Sequence, residues 1–281
     1  MKILIAGAGG FIGKKIADHC RRDHETISLT RSDLDITRGS AVDETISRIR
    51  PDLVINCAVL GLEASEAEPV AARAVNADGP ENLGRAVAKS GGAIVHFSTN
   101  YVFGGDKQEG YYTVDDEPQP VNVYGETKWA GEQALAAECS RHFIVRTSWV
   151  YGGSKLSFFD RAIASLRAGE PVDAVADNWG SPTFVDDLIE RVEKVTELNK
   201  FGTYHIANSG ICSKYEFAVE AARQITGDLG EELVSPISGV HPDSSVSRPE
   251  YTPISCRLSA EIGLSPLRSW ESAMETFILR S

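Results

Sequence analysis

The sequence predicts an α/β fold: a doubly wound parallel sheet with a smaller C-terminal region. Three observations carry this. The chain opens on an apolar β run, Lys2-Ile-Leu-Ile-Ala6, that passes through a glycine-rich turn into a helical pattern with Ile12, Ile16 and Cys20 at i, i+4 and i+8. Short apolar runs then recur at 26–29, 53–57, 93–98, 143–147, 172–175 and 204–207, with helical patterns between them, including 183–198 capped by Thr183 or Asp186. Such alternation is the signature of parallel strands joined by crossover helices. From about Tyr151 the pattern loosens, with turns at Gly152-Gly153, Gly180-Ser-Pro182 and Arg248-Pro-Glu-Tyr-Thr-Pro253.

The first turn, Gly7-Ala-Gly-Gly10-Phe-Ile-Gly13, sits where a Rossmann-type dinucleotide fingerprint belongs, after a strand and before a helix. Its spacing is Gly-x-x-Gly-x-x-Gly. Such glycines allow a sharp turn, close backbone approach to a pyrophosphate, and tight helix-to-strand packing. Phe11 and Ile12 lie inside the fingerprint and are candidate cofactor contacts. The second strand ends at Thr30-Arg31, where an acid would bind the ribose 2′-hydroxyl of NADH and an arginine suits the 2′-phosphate of NADPH. Arg31 therefore favours NADPH, with NADH as the alternative. Asp35 and Ile36 are placed for the adenine, and the small residues Cys57 and Ala58 after the third strand let backbone approach the cofactor. Asn76 completes the candidate cofactor set.

Composition narrows the partners. A chain of 281 residues, 42% hydrophobic, buries a substantial core as one large or two interlocked domains. The expected division is a dinucleotide-binding domain of 1–150 and 171–200, with 151–170 and 201–281 as the substrate-binding region. A net charge of −12 argues against nucleic acid and against an anionic membrane surface. The five cysteines, 20, 57, 139, 212 and 256, are widely spaced and without any Cys-x-x-Cys, which suits a reducing compartment and suggests neither disulfides nor a metal site. No apolar stretch reaches the roughly 18 residues of a membrane span, so the expected location is cytoplasmic.

The chemistry is concentrated in Ser98-Thr99 and in Tyr124-Gly-Glu-Thr-Lys128. In a helix, Tyr124 and Lys128 share one face at i, i+4. An adjacent ammonium stabilises a phenolate, so Tyr124 is expected to titrate below its usual value of about 10. A tyrosine so placed hands a proton to a carbonyl oxygen undergoing reduction. His96 and His205 read as core or supporting histidines. Asp115-Asp116-Glu117 and Asp186-Asp187 read as a solvated loop and a helix N-terminus rather than metal ligands.

Together with Arg146-Thr-Ser-Trp-Val-Tyr-Gly152, Gly180-Ser-Pro-Thr183, Gly202-Thr-Tyr-His-Ile206 and Arg248-Pro-Glu-Tyr251, these motifs resemble the extended short-chain dehydrogenase/reductases, and among them the dTDP-4-dehydrorhamnose reductases. The resemblance runs from the first strand to the helix at Trp270. It implies reduction of the C4 ketone of a nucleotide-linked 4-keto-6-deoxy sugar, with Tyr124 as proton donor, Lys128 on the nicotinamide ribose, and Thr99 on the substrate carbonyl. Asn100 stands where the family usually has an acid, and with Trp149 and Arg248 it completes the implied substrate contacts, Arg248 toward the nucleotide diphosphate. Residues 58–65 and Asn178-Trp179 depart from the family pattern, which points to a reductase or epimerase acting on another nucleotide sugar as an alternative. A non-catalytic regulatory subunit similar to that of methionine adenosyltransferase is a further one, since that fold retains a similar Tyr-x-x-x-Lys. The resemblance allows a homodimer.

Overall fold

A computed structural model describes residues 1–153, 157–239, 246–255 and 262–280; Cys256 lies outside them. In chain order the strands are β1 (Lys2–Ala6), β2 (Glu25–Leu29), β3 (Leu53–Asn56), β4 (Ala93–Thr99), β5 (His142–Thr147), β6 (Val150–Tyr151), β7 (Val172–Val175), β8 (Trp179–Gly180), β9 (Thr183–Phe184), β10 (Gly202–His205), β11 (Cys212–Ser213) and β12 (Val234–Ile237). The helices used below are α1 (Phe11–Cys20), α2 (Gly39–Ile49), α3 (Leu62–Ala67), α4 (Pro69–Arg73), α5 (Gly79–Ser90), α6 (Val123–Glu138), α7 (Phe158–Arg167), α8 (Val185–Glu197) and α9 (Lys214–Thr226).

The chain forms two units. The first comprises Met1–Val102, Pro118–Arg146 and Val192–Tyr204. Its six-stranded parallel sheet has the order β10-β5-β4-β3-β1-β2, with β1 flanked by β2 and β3. β3 and β4 are buried at every position, as expected of strands covered on both faces. Leu4, Val54 and Ile94 pack with Val42 and Ile46 of α2 and Leu83 and Val87 of α5. The strand order reverses beside β1, where β2 lies on one side and β3 on the other. In doubly wound sheets a ligand crevice opens at that point, outside the carboxyl ends of the strands.

The second unit comprises Phe103–Glu117, Thr147–Arg191 and His205–Ser281. Its core is aromatic: Tyr151, Phe159, Phe184, Phe217 and Trp270 pack together. Residues 171–191, expected in the dinucleotide half, fall here because β7 pairs with β12 in a separate two-stranded sheet. Residues 103–117 also fall here: Tyr112 exchanges backbone hydrogen bonds with Pro253 and Ser255 while its ring stacks on Phe103 at 4.4 Å. The run at 172–175 is indeed a strand, but apolar content alone did not show its partner. α9 opens with a capping box, Ser213 and Glu216 each satisfying the other's backbone N–H.

Two glycines decide how α6 is seated in the first unit. A Cβ on Gly125 would lie 2.1 Å from the Tyr101 carbonyl oxygen, and one on Gly131 would lie 2.0 Å from that of Asn76. Neither neighbour is a flexible side-chain tip, so any larger residue forces the helix off its support. Gly131→Ala is expected to destabilise the protein by about 1–3 kcal/mol. Gly61→Ala, where an added Cβ meets nothing within 4 Å, should stay within about 0.5 kcal/mol of wild type. Denaturant midpoints would measure both, and equal shifts would refute the tight seating.

Candidate active site

The glycine turn builds a cradle. Gly7 has φ +78°, and a Cβ there would lie 2.5 Å from the backbone nitrogen of Ala58. Gly10 caps α1 in extended conformation and donates its N–H to the Gly7 carbonyl at 3.0 Å. Gly13 does not line the cavity; a Cβ there would sit 2.3 Å from the Gly7 oxygen, so its role is close packing of α1 on the turn. A cavity of about 410 Å³ opens over the cradle, lined among others by Gly7, Gly10, Arg31, Asp35, Ile36 and Cys57. Ala58, Val59 and Leu60 of the divergent segment also line it. Phe11 and Ile12 are half-buried on α1 and are not among its lining residues.

At the tip of β2, Thr30, Arg31 and Ser32 face this cavity while Asp33 turns back. The Asp33 carboxylate accepts from the Thr30 N–H at 2.9 Å and from the Thr30 hydroxyl at 2.6 Å, and these bonds hold it below the usual carboxylate range. Asp35 is likewise held down, chiefly by the Thr37 hydroxyl at 2.8 Å, with Arg31 and Arg38 contributing. Asn76 lies beside the divergent segment. Its side chain is fully buried and spent internally, accepting from Leu60 N–H at 2.9 Å and donating to the Leu60 carbonyl at 3.0 Å and the Thr127 hydroxyl at 3.2 Å. It thereby holds Leu60, which lines the cavity.

Tyr124 lies in the first turn of α6. Asn122 caps the helix, its side chain accepting from Gly125 N–H at 2.8 Å, and Tyr124's own N–H donates to Glu66 on α3 at 3.2 Å. Thr99, at the end of β4, receives the Tyr101 N–H at 3.1 Å. Asn100, buried, begins the next turn. Burial pushes the Tyr124 phenol up to about 12; its hydrogen bond with Thr99 pulls the other way, and Tyr101, edge-on at 6.2 Å, adds to the rise. The direction is opposite to the sequence expectation. Lys128 does share the helical face, but its Nζ donates to the Phe97 carbonyl at 2.6 Å and contacts His96 Nε2 at 3.2 Å. Tyr124 is thus a protonated group with a hydroxyl partner.

Lys128 is 1% exposed. Burial lowers its ammonium to about 8, opposed by Glu132 and then Cys57. Glu132, one turn further along α6, receives the Arg146 guanidinium at 2.7 Å and the Ser98 hydroxyl. Arg146 also lies 5.5 Å from the Trp129 ring. Sequence reasoning missed Glu132, although an acid at i+4 from the lysine was the available signal. Nothing in the sequence marked His96 as the lysine's neighbour.

In the second unit Trp149 adopts φ +46°, a left-handed conformation that costs a non-glycine residue energy. Its ring packs at 5.2 Å from Phe159 and flat over Gly180, where a Cβ would come within 2.7 Å of the indole. The half-buried Lys214 lies 5.6 Å from the same ring, and burial followed by the charge of Arg248 lowers its ammonium to about 8. A second cation, Arg248, thus stands near Lys214. Asn178 fixes the Arg248 segment by donating to the Pro249 carbonyl at 2.8 Å, and its own Oδ1 is buried with no hydrogen-bond partner among the described residues. The acidic pairs are structural: Asp187 takes Arg268 in a two-pronged pair at 2.8 Å, and Asp116 takes Lys107 at 2.6 Å. His205 packs edge-on against Phe103 and contacts the Tyr112 carbonyl. Among the described residues no group of His, Cys, Asp or Glu is placed to hold a metal ion, and no helix is long and apolar enough to cross a membrane.

A glycine cradle on the first βα turn of a doubly wound sheet, with Thr99, Tyr124 and Lys128 converging from β4 and α6, defines a protein of the short-chain dehydrogenase/reductase class. The chain matches the RmlD substrate binding domain family over residues 1–281 and belongs to that family. It is 40% identical over 278 residues to the dTDP-4-dehydrorhamnose reductase of Mycolicibacterium smegmatis, covering 98% of this chain and 84% of that one. It is 33% identical to the dTDP-4-keto-6-deoxy-D-glucose reductase of Streptomyces niveus, covering 96% and 94%. The crystal structure of dTDP-4-dehydrorhamnose reductase from Bacillus anthracis in complex with NADP matches with a TM-score of 0.92 and 34% identity over 100% of both chains.

The buried lysine has a measurable signature. The unfolded chain holds the Lys128 proton up to 10.5, while the folded protein loses it at about 8. Between these values the unfolded state binds more protons, so stability rises with pH. The unfolding free energy of wild type minus that of Lys128→Met should therefore be flat below pH 8 and climb above it. A difference that stays level or falls would show that Lys128 is not held in this way.

Proposed function

We propose that this chain is an NADPH-dependent reductase that converts the C4 ketone of a nucleotide-linked 4-keto-6-deoxy sugar to the alcohol, acting on dTDP-4-dehydrorhamnose to give dTDP-rhamnose. The observation that carries the reading is the Thr99–Tyr124 hydrogen bond beside a buried lysine, on the same unit as the glycine cradle. Relatives that match nearly the whole chain are named for this chemistry, which supports the assignment.

The cradle fits a dinucleotide: the backbone at Gly7 leaves no room for a side chain on the turn, and the cavity continues past Gly10 to Arg31 and Ile36. Gly7, Gly10 and the N-terminus of α1 would hold the pyrophosphate, Arg31 the 2′-phosphate, and Asp35 with Ile36 the adenine. When bound, the nicotinamide supplies the hydride. Tyr124 supplies the proton. Its raised pKa keeps that proton in place until a carbonyl oxygen gathers negative charge beside it. Thr99 holds both the phenol and the carbonyl oxygen, which fixes their approach. Lys128, which interacts with Cys57 of the cavity wall, would hold the nicotinamide ribose. In the second unit Trp149 contacts the sugar nucleotide, and Arg248 together with Lys214 neutralises its diphosphate. Asn100 adds a polar contact to the sugar. Buried free thiols at Cys20, Cys139 and Cys212 suit the reducing cytoplasm.

The test is NADPH absorbance with dTDP-4-keto-6-deoxy sugars. Wild type should turn over, and Tyr124→Phe should lose at least ~100-fold in kcat/KM. Arg31→Ala should reduce the preference for NADPH over NADH by about 10-fold through the lost charge-assisted contact. If the protein binds NADPH yet oxidises it with none of these sugars, the reading is wrong.

A further inference from the structure

Lys128 sits at the end of a chain of hydrogen bonds whose directions can be assigned. The Ala58 N–H donates to Asn56 Oδ1 at 3.1 Å. That fixes the Asn56 amide, because turning it would place two donors face to face. Asn56 Nδ2 therefore points at His96 Nδ1, 3.0 Å away, and must be the donor there. With its Nδ1 accepting, a neutral His96 carries its proton on Nε2. That nitrogen lies 3.2 Å from Lys128 Nζ, which itself donates to the Phe97 carbonyl at 2.6 Å. All of these side chains are buried: Asn56 and Lys128 are 1% exposed, and His96 is wholly enclosed.

This arrangement satisfies every partner only when Lys128 is a neutral amine. The amine then accepts from His96 Nε2–H and still donates to Phe97. An ammonium has no lone pair. To meet it, His96 must move its proton to Nδ1, and Asn56 must then turn its carbonyl toward that N–H. In turning, Asn56 gives up the Ala58 N–H, which belongs to a residue on the wall of the dinucleotide cavity.

We propose that His96 and Asn56 are positioning residues that couple the charge of Lys128 to the backbone N–H of Ala58: a neutral Lys128 keeps that N–H tied to Asn56, and a charged Lys128 frees it toward the cofactor cavity. Charging Lys128 and binding an acceptor-rich ligand beside Ala58 then favour one another by linkage. The imidazole does not take up a charge of its own, since burial, followed by the neighbouring lysine, drives its pKa well down. The other groups facing Lys128 are Glu132 on the next turn of α6, already paired with Arg146, the Cys57 thiol after β3, and Tyr124 one turn back. Burial pushes the Cys57 thiol far up, so it stays protonated. The consequence for catalysis rests on the reductase reading; the tautomer switch itself does not.

The experiment is two-bond proton–nitrogen correlation spectroscopy on ligand-free protein labelled with 15N-histidine, recorded from about pH 6 to about pH 10. His96 is assigned from the resonance lost in His96→Gln. The expected result is a neutral ring that changes from the Nδ1–H to the Nε2–H tautomer as pH rises, with a midpoint near 8, where Lys128 loses its proton, and no change in Lys128→Met. A single tautomer across the whole range, or an imidazolium within it, overturns the coupling. The wild-type spectra alone separate these outcomes even if a variant does not fold. Because no turnover is involved, a protein with the switch but no reductase activity would refute the proposed function alone.

Discussion

The seating of α6 in the first unit depends on burying the amino group of Lys128. Lys128 has almost no contact with solvent, and a polar group in that position is costly unless its donors are met. The Phe97 carbonyl meets one of them at 2.6 Å, which is close for a nitrogen donor. That contact requires α6 to lie almost against the end of β4. Gly125 and Gly131 provide the clearance, each facing a carbonyl oxygen at a distance no side chain tolerates. Once the helix is seated, Tyr124 is carried to Thr99 without further adjustment. The burial of the neighbouring amine thus helps to place the proton donor, and the hydrogen bond with Thr99 completes the placement.

The polar groups around this anchor are nearly all spoken for. Glu132 faces Lys128 but is held by Arg146 and Ser98, so the helix interior carries balanced rather than stray charge. Removing one partner of such a pair leaves the other buried alone, a loss of about 3–5 kcal/mol in comparable cases. Ser98, Thr99, His96 and the Phe97 carbonyl come from four successive residues of one strand. β4 is buried along its whole length, so it presents this group as a rigid edge. Asn76 does the same for the loop after β3, tying Leu60 through both its N–H and its carbonyl.

Much of this was legible in the sequence. The glycine spacing, the apolar runs of β1 to β5 and the Tyr124–Lys128 interval follow local rules, and the structure places them as read. Boundaries were close, since hydrophobic period and turn residues are local signals. What escaped were non-local pairings. The run at 172–175 looks like any other strand, and its pairing with β12 depends on residues some sixty positions away. The phenol's shift also escaped, because spacing shows that a lysine is near but not what its ammonium already holds. Nor does spacing show that the Asn76 amide bonds to Leu60 and Thr127.

At the centre of this picture Tyr124 waits as a protonated donor, its proton secured by burial while Lys128 is occupied at the Phe97 carbonyl. An ultraviolet difference titration of wild type against Tyr124→Phe, without ligand, tests this directly. No phenolate step from Tyr124 is expected until the pH approaches the value of about 12 set by its surroundings. A step near neutral pH that is present in wild type and missing in both Tyr124→Phe and Lys128→Met would contradict it, and would show that the lysine acidifies the phenol after all.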